Sequence, residues 1–434
     1  MYYFVKQILL TVCPVRAGIM EDMRTADRVA PGRRSGIKVA DEWLRQILSL
    51  LYQRRNLSRI EIVEATGLNA ASVSHALRYL LGRGVLLKAG DCDAGTGRRR
   101  EVLTLNAEAG YFVALDLEGD RLRFGLTNFL GDLRCRWEEC LEFREPLLPE
   151  KVVEGIRKVT RDLDRSQLRR ILAVGVSYPG LLDAEGRLSA VNLGWTKVPL
   201  LTVLKEAFSW PVFLERDKET CIHAESWLGA AQKCRNALFL IDEGGIGLGI
   251  LADGSHLMGT RGFSGEIGHC KFVPGAEDLC NCGQKGCLEA IASGVNIVRQ
   301  YAERTGSEAG KYRFVDVLER ARRGDEVALS VFERAGRALG SALSTAISLL
   351  DPEIVVLGGD LIAAEDVILP ILWDQVGLQT RPRSLEVVKI VVSGLGLDIR
   401  LKGAASLAFR NMLEAPELIQ RMCAPILQTT PDAV

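Results

Sequence analysis

The sequence lacks a long apolar run: no stretch of about 18 consecutive apolar residues occurs, which excludes a conventional membrane-spanning helix. It lacks net charge. Lys+Arg and Asp+Glu balance at 55 each, so any nucleic-acid contact has to come from a local patch rather than from the field of the whole chain. It lacks a disulfide framework. The 11 cysteines are odd in number and mostly scattered, which suits a reducing cytoplasm and leaves room for metal binding. The N-terminus also lacks a full secretory signal. The apolar run Ile8–Val12 is short against the roughly 7–15 residues of a signal core, and no small-residue cleavage site follows. Residues 1–36, with Pro, Gly and Arg gathered from Pro31 to Gly36, are read as a disordered leader or a start-site artefact, with Met20 and Met23 as alternative starts. What remains is ordinary for soluble domains: 434 residues, 47% apolar and 25% charged, enough for two or three cores.

Residues 37–106 read as a winged helix-turn-helix. Leu44, Ile47, Leu48 and Leu51 recur at helical spacing in a helix over Val39–Arg55. Ser58 is placed to cap a short helix, Arg59–Thr66, expected to bury Ile60 and Val63. Gly67 makes the turn, and Asn69 caps a third helix running to about Leu81 with Val73, Leu77, Leu80 and Leu81 inward. The candidate DNA contacts are Asn69, Ser72, Ser74, His75 and Arg78 on that helix. Val85–Leu87 and Val102–Leu105 form the expected wing, with Arg98, Arg99 and Arg100 near its tip, suited to phosphate or minor-groove contact. From Asp41 to Arg100 there are ten Lys/Arg against six Asp/Glu, a local surplus of four positive charges in a neutral chain.

Beyond Asn106 the pattern alternates. Strands are expected at Tyr111–Leu117, Arg121–Thr127, Ile171–Ser177, Val212–Leu214, Ala237–Ile241, Gly247–Ala252 and Ile354–Leu357. Helices are expected at Lys151–Leu163 and Ala335–Leu350. This is α/β architecture with glycine-rich turns after strands. The sharpest chemical signal is His269 followed by Cys280, Cys282 and Cys287. Three thiolates and an imidazole make a four-ligand tetrahedral zinc site. Glu266 and Glu289 flank it, and carboxylates beside an imidazole suit recognition of sugar hydroxyls.

Several motifs keep one order along the chain: Gly97-Arg98-Arg99 in the wing, Gly175-Val176-Ser177-Tyr178-Pro179-Gly180, Asn192-Leu193-Gly194-Trp195, and Gly265-Glu266-Ile267-Gly268-His269. The cysteine loop with Glu289 and Asp351-Pro352-Glu353-Ile354-Val355-Val356-Leu357-Gly358-Gly359 complete the series. From about residue 40 to 410 the chain thus resembles the ROK family of repressors, open reading frames and sugar kinases. The resemblance implies a two-lobed actin/hexokinase-like, ribonuclease H-like fold after the winged helix. Residues 107–217 would form the first lobe and 218–434 the second, with the C-terminal helix returning to the first. It places Asp217 at the position of the kinase base and Asn192, Glu266, His269 and Glu289 at sugar-contacting positions. It makes His269, Cys280, Cys282 and Cys287 the zinc ligands. Arg216 stands where the kinases have Asn; a guanidinium there would either favour an acidic or phosphorylated sugar or turn away to pair with Glu215 or Glu219.

The departures from the kinase pattern set the expected function. The first phosphate loop, Asp-x-Gly-Gly-Thr in the kinases, reads Asp116-Leu117-Glu118-Gly119-Asp120. The second, Gly-Thr-Gly-Ile-Gly, reads Glu243-Gly244-Gly245-Ile246-Gly247. Both changes add carboxylates where a triphosphate would sit, and repulsion is expected to abolish useful phosphoryl transfer. The expectation is a cytoplasmic, sugar-responsive repressor of carbohydrate uptake or catabolism genes. It would bind operator DNA as a homodimer or homotetramer, with zinc as cofactor and no membrane partner. The rivals are an active sugar kinase and a regulator controlled by a protein partner; an activator differs only in operator position.

Overall fold

Three helices open the described chain because three short-range signals agree. α1 (Asp41–Arg54) buries Leu44, Ile47, Leu48 and Leu51, spaced along one helical face. β1 (Leu57–Ser58) leads into α2 (Arg59–Thr66), where Ser58 and Glu61 form a reciprocal capping box: Glu61 Oε2 accepts from the Ser58 N–H at 2.7 Å. Gly67 ends α2 in the left-handed conformation at φ 68°. Asn69 Oδ1 then accepts from the Ser72 N–H at 2.8 Å and starts α3 (Ala70–Gly82). The computed structural model describes residues 41–93, 99–118, 121–142, 146–190, 193–260, 262–308 and 310–424.

The wing is longer than its apolar residues suggested. β2 (Leu86–Asp93) and β3 (Arg99–Leu105) pair antiparallel as far as Asp93 opposite Arg99, and β1 adds to the other side of β3. Two expected burials are corrected. Ile60 is 47% exposed and Val63 half-buried, while Ile62 is fully buried. The short α2 points its apolar residues in too many directions for spacing to choose the inner face, and contact with α1 and α3 chooses it. Ser72, a candidate DNA contact, is buried. Residues 72, 73, 76, 77 and 80 form the inner stripe of α3, and Ser72 lies on it.

The chain divides into two compact units. One contains the residues before Asp217 together with those from Arg400 on; the other is Asp217–Ile399. In the first, β4 (Tyr111–Leu117), β5 (Arg121–Asn128), β6 (Leu133–Cys140), β7 (Ile171–Tyr178) and β11 (Val212–Arg216) form a sheet in the order β11-β7-β4-β5-β6. A small sheet of β8 (Leu181–Leu182), β9 (Leu188–Ala190) and β10 (Trp195–Val198) lies between β7 and β11 in sequence. In the second unit, β12 (Ala237–Asp242), β13 (Ile246–Ala252), β14 (Ser255–His256), β15 (Ile354–Gly359) and β16 (Lys389–Val392) take the order β14-β13-β12-β15-β16. The two main sheets have one topology. The first strand pairs antiparallel with its hairpin partner and parallel with the strand on its other side. The two loops compared with kinase phosphate grips, after Leu117 and after Asp242, are the same turn of the two sheets.

The helix Ile399–Glu414 packs on the first sheet, and Gly175 is what admits it. A Cβ at Gly175 would lie 1.9 Å from the Ala404 carbonyl oxygen. The same helix carries Phe409, whose ring stacks on Tyr52 of α1 at 3.9 Å between centroids and meets Phe112 and Phe129 edge-on. Within this unit, then, a buried aromatic cluster joins the winged helix to the α/β sheet. In the second unit the helix Glu326–Leu350 and the Ala/Leu-rich face of its neighbours build the main core. No helix among the described residues is long and apolar enough to cross a membrane.

Candidate functional site

The candidate metal ligands are brought together by a tight loop. The Cys280 N–H donates to Gln284 O at 2.8 Å, the Gly283 N–H to Cys280 O at 2.9 Å and the Gly286 N–H to Asp278 O at 2.9 Å. Asp278 is in turn held by the Arg334 guanidinium of the long helix, at 2.8 Å to one oxygen. The Leu288 N–H donates to Cys270 O at 2.9 Å and brings the two ends of the segment together. As a result one donor atom each from His269, Cys280, Cys282 and Cys287 lies within 4.8 Å of all the others.

The donor geometry fits a metal ion. Cys280 Sγ is 3.7 Å from His269 Nδ1, and Cys282 Sγ is 3.7 Å from Cys287 Sγ. Metal–sulfur bonds of about 2.3 Å give a tetrahedral edge of about 3.8 Å. Without an ion, burial pushes the Cys280 thiol up to about 12; a dication among the sulfurs would reverse that by favouring thiolates.

His269 Nε2, on the far side of the ring, is 3.9 Å from Glu266 Oε2. Glu266 is itself fixed by Lys218, whose Nζ donates to Glu266 Oε1 at 2.7 Å and to Ser264 O at 2.6 Å. Lys218 is 2% exposed, so its charge is removed from water and is compensated by that carboxylate. Lys218 went unnoticed in the sequence because a lone lysine at the start of a helix carries no pattern. Asp217 begins the same helix, Asp217–Leu228, and its Oδ1 accepts from the Lys218 N–H at 2.7 Å. Gly265 has φ 70°, and a Cβ there would lie 1.7 Å from Leu248 O, so this close seat on β13 requires glycine.

Glu289 is buried and bridges two loops. Its Oε2 accepts from the Ile246 N–H at 3.2 Å, and its Oε1 lies 3.7 Å from Cys280 Sγ. The second glycine loop is therefore linked to the cysteine cage through one carboxylate. Behind it, Asp242 is 1% exposed. One carboxylate oxygen accepts from the Gly294 N–H at 2.9 Å and the other has no hydrogen-bond partner among the described residues. Burial first, then the negative charge of Asp360, holds the Asp242 carboxyl well above its usual range.

The first glycine loop departs from the simple repulsion expected of it. Glu118 meets Arg123 at 2.6 Å and Arg121 and Arg400 at 3.4 Å, while Asp116 meets Arg123 at 3.4 Å and Arg400 at 3.6 Å. These carboxylates are neutralised on the spot, by Arg121 and Arg123 of the same hairpin and by Arg400 from far along the chain. Gly119 and Asp120 lie outside the described residues, as does Asn192. Arg216 ends β11, is partly buried and is already engaged by neighbours.

On the winged helix, Arg78 and Asn69 are exposed, and Ser74 and His75 are half-buried. Arg99 and Arg100 lie in β3, and Arg98 is outside the described residues.

A winged helix followed by two sheets of one topology, with a His/Cys cage in the second, defines a class. The chain matches the ROK family over residues 113–411 and belongs to it. It is 30% identical over 390 residues to the DNA-binding transcriptional dual regulator NagC of Escherichia coli strain K12, covering 85% of this chain and 92% of that protein. It is 24% identical over 370 residues to the xylose repressor of Bacillus spizizenii, covering 85% and 95%. A crystal structure of a ROK family transcriptional regulator, described as a homolog of the E. coli MLC protein, superposes with a TM-score of 0.74 at 23% identity, covering 88% of this chain and all of that one. The ROK hexokinase of Thermus thermophilus superposes with a TM-score of 0.60 at 30% identity, covering 70% of this chain and all of that one.

Proposed function

We propose that the protein is a sugar-responsive, DNA-binding transcriptional regulator that represses carbohydrate uptake or catabolism genes and has lost kinase activity. One observation carries this reading. A match over 85% of 434 residues to NagC and to the xylose repressor cannot fit between Val113 and Val434, so it runs into the winged-helix region. The hexokinase match, at 70% of the chain, has no need to.

The second unit would supply the sensor. Glu266, held by Lys218, and His269, held by the cage, present acceptors of fixed direction to sugar hydroxyls. Asp217 would meet the hydroxyl that a kinase deprotonates. The cage would hold zinc, since three sulfurs and one nitrogen suit that ion. Its role would be to stiffen the loop that carries His269 and Glu289. Glu118, at the start of the first glycine loop, is already paired with three arginines, and a self-neutralised cluster beside that loop has little use for ATP. Asn69, Ser74, His75 and Arg78 of α3 and Arg98, Arg99 and Arg100 of the wing would contact the operator, each subunit of a dimer reading one half-site; the buried Ser72 is set aside.

The test is fluorescence anisotropy of the full chain on DNA from its own promoter region, at fixed salt, against a panel of sugars, sugar acids and sugar phosphates. Release of the DNA by one compound is expected, with no ATP consumption in a coupled assay with that compound. Tight DNA binding that no compound changes would overturn the sensor reading; turnover of ATP would favour the kinase.

A further inference from the structure

A cavity of about 560 Å³ lies in the first unit, where the winged helix meets the α/β sheet. Its wall draws on three parts of the chain. Arg83 and Asn106 come from the end of α3 and the end of the wing. Ser166, Arg169 and Arg170 come from the segment before β7, and Arg421 comes from the C-terminal helix Pro416–Met422. Four of these six are arginines, and among the described residues no carboxylate lines the cavity.

The arginines are not there to satisfy local acids. Among the described residues, no ion pair or hydrogen bond engages the guanidinium of Arg169 or Arg421, and Arg83 only stacks over the Tyr79 ring at 5.4 Å. Arg170 donates to a backbone carbonyl, Glu108 O, at 2.5 Å. The nearby carboxylates are committed elsewhere. Asp164 caps the helix Arg165–Leu168 through the Ser166 and Gln167 N–H groups, and Glu108 pairs with Arg134 at 3.0 Å. Arg421 is half-buried, and that burial pulls its guanidinium below the usual arginine range. Gathering four cations around a concave space, none of them ion-paired among the described residues, is unfavourable unless an anion enters it.

We propose that this cavity binds a small phosphate-bearing molecule, and that the bound anion fastens the winged helix to the rest of its unit. Guanidinium forks match phosphate oxygens in pairs, and the Ser166 hydroxyl offers a further donor on the same wall. The volume suits a metabolite rather than a lone ion. The cavity sits at the base of the wing and the C-terminal end of α3, whereas a recognition helix meets bases through its N-terminal part. The arginines are therefore assigned to a small anion and not to operator phosphates. This site is separate from the sugar site in the second unit and does not depend on it.

The experiment is calorimetric titration of the full chain with inorganic phosphate and pyrophosphate at constant ionic strength, with chloride as control. Saturable binding of one ion per chain is expected, tighter for pyrophosphate. The double variant Arg169→Gln, Arg421→Gln should weaken it at least about tenfold, because two charge-assisted bonds are lost. Arg169→Gln alone, at an exposed position, should weaken it measurably and keeps the test valid if the double variant does not fold. Affinity for a random-sequence duplex at about 150 mM salt should stay within about twofold, since exposed charges beyond a Debye length are screened there. No saturable heat with either probe would overturn the proposal, as would unchanged affinity in the single and double variants. An equal tenfold loss of duplex binding would reassign the arginines to DNA and overturn it too.

Discussion

Single residues in this protein are placed by partners that spacing does not reveal. Glu266 was recognisable beside His269, but the buried Lys218 that aims it is 48 positions away. Asp242 is a sharper case, because its folded environment opposes its charge. Its carboxyl is raised by burial and by Asp360, so the folded chain holds a proton that the unfolded chain releases near the usual value of 3.8. Asp242 therefore favours folding fully only below that value, and the contribution is lost as pH rises through the folded-state value. Asp242→Asn keeps an acceptor for the Gly294 N–H and removes the buried charge. It should raise the melting temperature by a few degrees at neutral pH, with the gain vanishing toward pH 4, as scanning calorimetry across pH would read. A variant less stable at neutral pH would count against this account.

At the level of elements, the two main sheets share one strand order, and this places both glycine loops at equivalent turns. Alternating strands and glycine turns were legible in the sequence, but β6 was not. Leu133, Cys135 and Trp137 alternate with Arg134, Arg136 and Glu138, but the run is short, highly charged and breaks at Glu139, and none of its residues is fully buried. The seat of the helix Ile399–Glu414 is also a matter of contact. Gly175→Ala would drive a Cβ to 1.9 Å from a backbone oxygen that has no easy retreat. A loss of about 3 kcal/mol is expected, at the upper end of ordinary overpacking. Urea unfolding would measure it. Because the same helix carries Phe409 against Tyr52, DNA affinity should fall as well.

For the whole molecule, the His/Cys cluster proposed to hold the metal and the winged helix belong to different units, which separates their failures. Cys282→Ser should reduce metal content from about one ion per chain to almost none, because removing a ligand dismantles a four-ligand site. The melting temperature should drop and the sugar response disappear. DNA binding in the absence of sugar should persist within about threefold, a loss of well under 1.4 kcal/mol. Elemental analysis and the anisotropy assay read these separately, and loss of DNA binding in step with the metal would contradict the division of labour.

The sequence by itself determined the order of parts: a capped helix-turn-helix, α/β alternation and a cysteine loop paired with one histidine. These features are local, set by residues a few positions apart, and local physics is enough to read them. Only the tertiary structure decided which face of α2 is buried, that Ser72 points inward and that Glu118 is neutralised rather than exposed to a ligand. It also decided that four arginines from distant segments surround one cavity. Those outcomes depend on groups far apart in the chain, such as Arg400 with Glu118 or Arg421 with Arg83, and no periodicity records which distant side chain will arrive.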